Sequence, residues 1–118
     1  MLDNITRGKS GEELAKDYLI SKGYRILATN YRNRIGEIDI IAMVKDILVF
    51  IEVKTRTSIS YGYAFEAVDT RKQRKIINTS LVYIKYKNLV DTQLRYDIIE
   101  VYMTKDFRIN HLENAFCL

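Results

Sequence analysis

The sequence has no proline and no tryptophan, one cysteine (Cys117), one histidine (His111) and five glycines among 118 residues. Each scarcity excludes something. A lone thiol cannot close an internal disulfide, and ordinary zinc sites need several Cys or His ligands. One histidine leaves serine–histidine or cysteine–histidine catalysis little to draw on. No apolar run approaches the roughly 20 residues that span a bilayer. The opening MLDNITRGKS lacks the apolar core of a signal peptide. A reduced, cytoplasmic setting with no membrane contact is therefore the expectation. Repeats, low-complexity tracts and linkers are also missing, so residues 1–118 are expected to form one domain.

What is present supports a folded core: 47% of residues are hydrophobic and 29% charged, a balance that disordered chains do not have. The net charge is +4. The bases cluster as Arg32 and Arg34, Lys54 and Arg56, then Arg71, Lys72, Arg74 and Lys75. Singly these are solvated surface residues; together they point to a polyanionic partner, nucleic acid first.

Apolar spacing predicts a helix from Ser10 to Lys22, with Leu14, Ala15, Tyr18 and Leu19 on one face and Gly23 as its stop. Strands follow at 24–31, 37–44 and 47–56, then a loop at 61–67. A second helix is expected from Thr70 to Lys85, its stripe being Ile76, Ile77, Leu81 and Ile84, and Thr70-x-x-Gln73 reads as a capping box. A strand at 95–103 and a last one at 107–112 complete an α-β-β-β-α-β order with an extra terminal strand. The fold class is α/β with a mixed sheet.

The middle strands carry charges that apolar strands do not need. Side chains alternate between faces, so Asp39 shares a face with Glu37, and Glu52 with Lys54 and Arg56. With Lys45-Asp46 as the turn, Val44 lies opposite Ile47. Counting back then puts Asp39 opposite Glu52, and Glu37 opposite Lys54. Opposed carboxylates repel unless something positive sits between them. A hard divalent cation such as Mg²⁺ does this with one or two carboxylates and several waters. Lys54, on the same face, is placed to hold a phosphate oxygen or to orient an attacking water. This set of groups suits phosphodiester hydrolysis. An ordinary hairpin with a Glu37–Lys54 ion pair fits the same residues.

Further blocks extend the pattern. They are Gly11-Glu12 with Leu14-Ala15 and Tyr18-Leu19, Gly23-Tyr24 with Ile26-Leu27, Asn30-Tyr31-Arg32, and Gly36-Glu37-Ile38-Asp39. Val49 to Arg56, Tyr61-Gly62, Lys72-Gln73, Arg95-Tyr96-Asp97 and His111 to Phe116 follow in order. Across about residues 8–116 the chain resembles the bacterial YraN family, itself similar to archaeal Holliday-junction resolvases within the PD-(D/E)XK nuclease superfamily. That resemblance implies a restriction-endonuclease-like mixed sheet flanked by helices, an endonuclease acting on DNA, Mg²⁺ or Mn²⁺ as cofactor, and a homodimer. It implies Asp39 and Glu52 as metal ligands with the Val53 carbonyl, and Lys54 as the catalytic lysine. Glu12, by position only a first-turn acid favourable to the helix dipole, becomes the acid completing the site. Gln73 becomes a residue near it. The chain departs from the family in having Tyr96 where Phe is usual, and in turning on Met43-Val44-Lys45-Asp46 without the usual Asp-Gly.

Three functional readings follow. The first is a metal-dependent nuclease on branched or single-stranded DNA. The second is a non-catalytic nucleic-acid-binding module using the basic residues Arg32, Arg34, Arg56, Arg71, Lys72, Arg74 and Lys75 with Gln73. The third is a protein-interaction domain using a surface rich in tyrosine, of which there are nine.

Overall fold

In the computed structural model, which describes residues 8–56, 68–105 and 107–117, Ser10 and Glu13 form a capping box ahead of α1 (Gly11–Ser21). The Glu13 amide donates to Ser10 Oγ, and the Ser10 amide to Glu13 Oε1. Gly23, at φ 91°, ends the helix as the sequence predicts. Then come β1 (Arg25–Arg32), β2 (Glu37–Val44), β3 (Ile47–Arg56), α2 (Thr70–Tyr86), β4 (Gln93–Tyr102) and β5 (Arg108–Phe116). The expected loop at 61–67, with Tyr61-Gly62, lies outside the described residues.

The five strands form one sheet in chain order. Neighbours are antiparallel except β3 and β4, which are parallel with α2 in the crossover between them. This is the expected mixed α/β core, compatible with a restriction-endonuclease-like fold. The helices cover opposite faces. Leu14, Ala15 and Leu19 of α1 pack against Ile40, Val49, Ile51, Ile99 and Val101. Ile76, Tyr83 and Ile84 of α2 pack against Ile41, Leu48, Phe50, Tyr96 and Ile98. A sheet hydrophobic on both faces requires this three-layer arrangement.

Two local expectations change, while the Lys45-Asp46 turn forms as expected. The α2 cap is Asp69, whose carboxylate accepts the Lys72 amide, and not a Thr70–Gln73 box. Thr70 is already helical, and the Gln73 side chain donates to the Val68 carbonyl at 2.8 Å. The β2–β3 turn, lacking glycine, places Lys45 itself in the left-handed region at φ 53°. The last strand extends past 112 to Phe116, because a register shift with Asn114 at φ 54° lets pairing resume at Tyr96–Phe116.

That shift is held by a buried polar cluster. The Asp97 carboxylate, fully buried, receives two Arg95 hydrogen bonds (2.8 and 2.9 Å) and the Asn114 amide (2.9 Å). His111 Nε2 lies 2.7 Å from Asp97 Oδ2, and Tyr18 Oη of α1 lies 3.0 Å from His111 Nδ1. Arg95 also donates to Tyr24 Oη at 2.6 Å. Burial alone would push the Asp97 carboxyl up, but hydrogen bonds from His111, Arg95 and Asn114 hold it below the usual carboxylate range.

Gly11 sets how closely α1 approaches β3. A methyl group there would collide with the Thr55 side chain. Gly11→Ala should destabilise by about 1–3 kcal/mol, the range for overpacking. Thr55→Ala in the same chain should recover most of it in a denaturation series, whereas a mere propensity effect would make Gly11→Ala stabilising.

Candidate active site

Pairing of β2 with β3 runs from Val44–Ile47 to Ile40–Ile51, in the register read from the sequence, and stops there. Where Asp39 was expected opposite Glu52, Asp39 Oδ2 instead accepts the Val53 amide at 2.8 Å. A side chain replaces a ladder bond, and β3 continues beside β4 to Arg56. The acids still meet. Asp39 and Glu52 border one cleft of about 260 Å³ with Gly36, Glu37, Lys72, Lys75 and Ile76. The expected Glu37–Lys54 pairing is absent: Glu37 lies opposite Arg32 on β1, and their side chains pair at 2.8 Å. Once β2 and β3 part, the nearest strand to Glu37 is β1.

Crowding shows in the titration of these groups. The Asp39 carboxyl is pushed up to about 7, by burial first and then by the charge of Glu52, the Val53 amide offsetting part of the effect. Glu12, from the first turn of α1, is also raised, by burial and then by Glu37 and Glu52. Its Oε1 is shielded from solvent and has no hydrogen-bond partner, the only such side-chain atom among the described residues. Such an atom in a native fold needs a cation or a donor.

Two lysines face Glu52. Lys54 Nζ lies 3.5 Å and Lys72 Nζ 3.4 Å from Glu52 Oε2. The Lys54 ammonium is held below the ordinary lysine range, by burial first and then by its contact with Lys72. Lys72 is pushed up by that same contact, with Glu52 adding to it.

Among the described residues no three Asp, Glu, His or Cys side chains form a ready ligand cluster. Mg²⁺ does not require one, since it binds through one or two carboxylates and keeps several waters. The carboxylate oxygens of Asp39 and Glu52 fit a hard cation, whereas Glu12 lines a separate pocket with Ser10, Glu13, Lys16, Thr29 and Asn30 and does not border their cleft. Asp39 and Glu52 would hold the cation, with the Val53 carbonyl as the backbone ligand implied by the resemblance.

The raised Asp39 has a stability consequence. An acid whose folded pKa (about 7) lies above its unfolded value (about 4) binds its proton more tightly in the fold. Its contribution to stability is therefore full below pH 4 and lost as pH rises toward 7. In EDTA, melting temperature should fall across that window more steeply for the native sequence than for Asp39→Asn. Parallel pH profiles would show that Asp39 is not strained.

The model of the uncharacterised protein family UPF0102 matches residues 11–101. Similar UPF0102 proteins occur in Clostridioides difficile strain 630, at 49% identity over 98% of this chain and 100% of the relative. Another, in Caldanaerobacter subterraneus subsp. tengcongensis, is 49% identical over 94% of each chain. A third, in Alkaliphilus oremlandii, is 51% identical over 92% of this chain and 96% of the relative. This chain belongs to the UPF0102 family, the YraN family.

In this UPF0102 chain the remaining candidates divide. Lys75 lines the cleft of the acids. Arg71 and Arg74 are exposed on α2, and Arg34 is exposed in the β1–β2 connection. Arg32 is exposed but paired with Glu37. Arg56 turns inward, 3.3 Å from the buried Glu100, which also accepts Asn110 Nδ2 at 3.0 Å. Gln73 is occupied by Val68. Lys72, read from the sequence only as a nucleic-acid contact, belongs among the acids. One signal could have found it: Lys72, Ile76, Thr79, Ser80 and Tyr83 follow helical spacing, and all but Lys72 are buried. A lysine continuing an apolar stripe has something to meet. Among the described residues no helix is long and apolar enough to cross a membrane.

Proposed function

We propose that this chain is a metal-dependent nuclease that hydrolyses phosphodiester bonds of DNA. The observation that carries the reading is the pair of acids, Asp39 and Glu52, crowded on one cleft at an electrostatic cost, with Lys54 Nζ 3.5 Å from Glu52 Oε2. A bound Mg²⁺ or Mn²⁺ would polarise the phosphoryl oxygen and supply a water of lowered pKa. The residues of the chain do the rest. The Val53 amide fixes Asp39 in place. The Lys54 ammonium, walled in beside Glu52, holds a phosphate oxygen or orients the attacking water. The exposed bases of α2 lie beyond the cleft and meet the flanking phosphates.

The alternative, a nucleic-acid-binding module without chemistry, accounts for Arg71, Arg74 and Lys75. It gives no reason for crowded carboxylates where a polyanion would dock. A panel of single-strand, duplex, flap and four-way-junction DNA with Mg²⁺ or Mn²⁺ decides between them. At least one substrate should be cut, and none in EDTA. A chain that binds DNA but cuts nothing with either metal would overturn the nuclease reading.

Binding itself should not need metal and should weaken steeply with salt, because docking on phosphates releases counterions. Arg71→Glu and Arg74→Glu should each weaken binding without regard to base sequence and lower the salt slope by about 1. Affinity indifferent to salt would remove DNA as the partner.

A further inference from the structure

Lys72 reaches the acids from a different element than Lys54 and has a different freedom. Ile76, one turn further along α2, is buried against the sheet, so the start of the helix is fixed over the cleft. Lys72 Nζ lies 3.4 Å and Lys54 Nζ 3.5 Å from the same oxygen, Glu52 Oε2. The Lys54 side chain is 19% exposed and the Lys72 side chain 46%. Lys54 is confined within the strand face. Lys72 has a flexible four-carbon stem on the open side of the cleft, next to Lys75.

One carboxylate oxygen therefore already serves two ammonium groups. A divalent cation bound to Glu52 would stand against both at close range, where like charges repel strongly in a partly buried site. Lys54 has little room to withdraw, whereas Lys72 has solvent beside it. We propose that Lys72 is a tethered counter-ion: it competes with the divalent cation for Glu52 Oε2 and, once displaced, holds a backbone phosphate oxygen of the DNA at the cleft mouth. This rests on the nuclease reading above and adds a linkage to it. The cation favours the released lysine because it takes over Glu52. DNA favours the same released lysine because it gains an ammonium. Each therefore strengthens the binding of the other, by the same factor in both directions.

The test uses the full chain, Lys72→Met and Lys72→Arg. Mn²⁺ is titrated by calorimetry without DNA. A labelled DNA duplex is then titrated by anisotropy in EDTA and in Ca²⁺ at equal ionic strength. Lys72→Met should bind Mn²⁺ about 3–10-fold more tightly than the native sequence, because no competitor remains. Its Ca²⁺-dependent gain in DNA affinity should shrink from about tenfold, within the usual range of coupling between sites, to about threefold or less. Lys72→Arg, which keeps a cation on a long stem, should stay close to the native values.

If Lys72→Met matches the native sequence in both measurements while the native chain binds Mn²⁺, the counter-ion role is overturned and the nuclease reading stands. If Lys72→Met weakens DNA binding equally in EDTA and Ca²⁺ with unchanged Mn²⁺ affinity, Lys72 is an ordinary phosphate contact and the role is again overturned. A native chain that binds no Mn²⁺ overturns the nuclease reading and the counter-ion role with it.

Discussion

Asp39→Asn and Glu52→Gln should each reduce Mn²⁺ binding and DNA cleavage to background, and Lys54→Ala should cut cleavage by about 10²–10³-fold while keeping the metal. The two acid substitutions are close to isosteric and remove only charge, so a loss of metal would trace to the ligands. The lysine figure is the usual loss when one preorganised donor to a transition state is removed. The variants should separate further in stability without metal. Asp39→Asn relieves a carboxyl pushed up by burial and by Glu52, and its amide oxygen can still accept the Val53 amide, so its melting temperature should hold or rise. Glu52→Gln leaves Lys54 and Lys72 without their shared counter-ion, so its melting temperature should fall slightly. Under an ion-pair hairpin without metal, neutralising either acid would cost at most about 1 kcal/mol, and there would be no metal affinity to lose. A native chain without Mn²⁺ affinity, with all three variants slightly weakened, would refute the metal site.

The legible parts of this fold are those set by local pattern. Apolar periodicity located both helices, and alternation with a two-residue turn gave the β2–β3 register through Ile40–Ile51. What the pattern missed depended on choices between neighbours. Simple alternation continued the ladder to Asp39 and Glu37, but each found a better partner, the Val53 amide and Arg32. Asp69 took the α2 cap because the helix begins one residue earlier than a Thr70 cap allows. Arg56 looked like a surface base until parallel pairing put the buried Glu100 within its reach. A sequence window around β3 cannot show what β4 will bring.

The second large effect is expected at Asp97. Asp97→Ala should cost about 3–5 kcal/mol, because it leaves the Arg95 guanidinium and His111 without their anion in the interior. The melting temperature should drop on the order of 10–20 °C. The pH profile should carry the same signature. A carboxyl held below its unfolded value stabilises the fold above about pH 4, and that contribution is lost as pH falls through its folded value. Asp97→Ala should therefore remove part of the acid sensitivity of the native chain. Asp97→Leu with Arg95→Met should recover stability relative to Asp97→Ala, since an apolar pair avoids the stranded charge. Asp97 faces away from the acid cleft, on the α1 side of the sheet, so the folded Asp97→Ala protein should keep its metal affinity. A loss below about 1 kcal/mol would mean that solvent already screens the cluster.

Parallel pairing of β3 with β4 also fixes the order in which the cleft can be assembled. Asp39 and Glu52 belong to a tight hairpin, and contacts between such near neighbours form at little entropic cost. Lys72 belongs to a crossover that closes only when Ile47 comes to lie opposite Gln93. On a growing chain the hairpin emerges before α2 and β4 have been made. Lys72 thus joins the acids and Lys54 through the pairing of the sheet that is most distant along the chain. The cleft gains its α2 wall only when that long-range pairing closes.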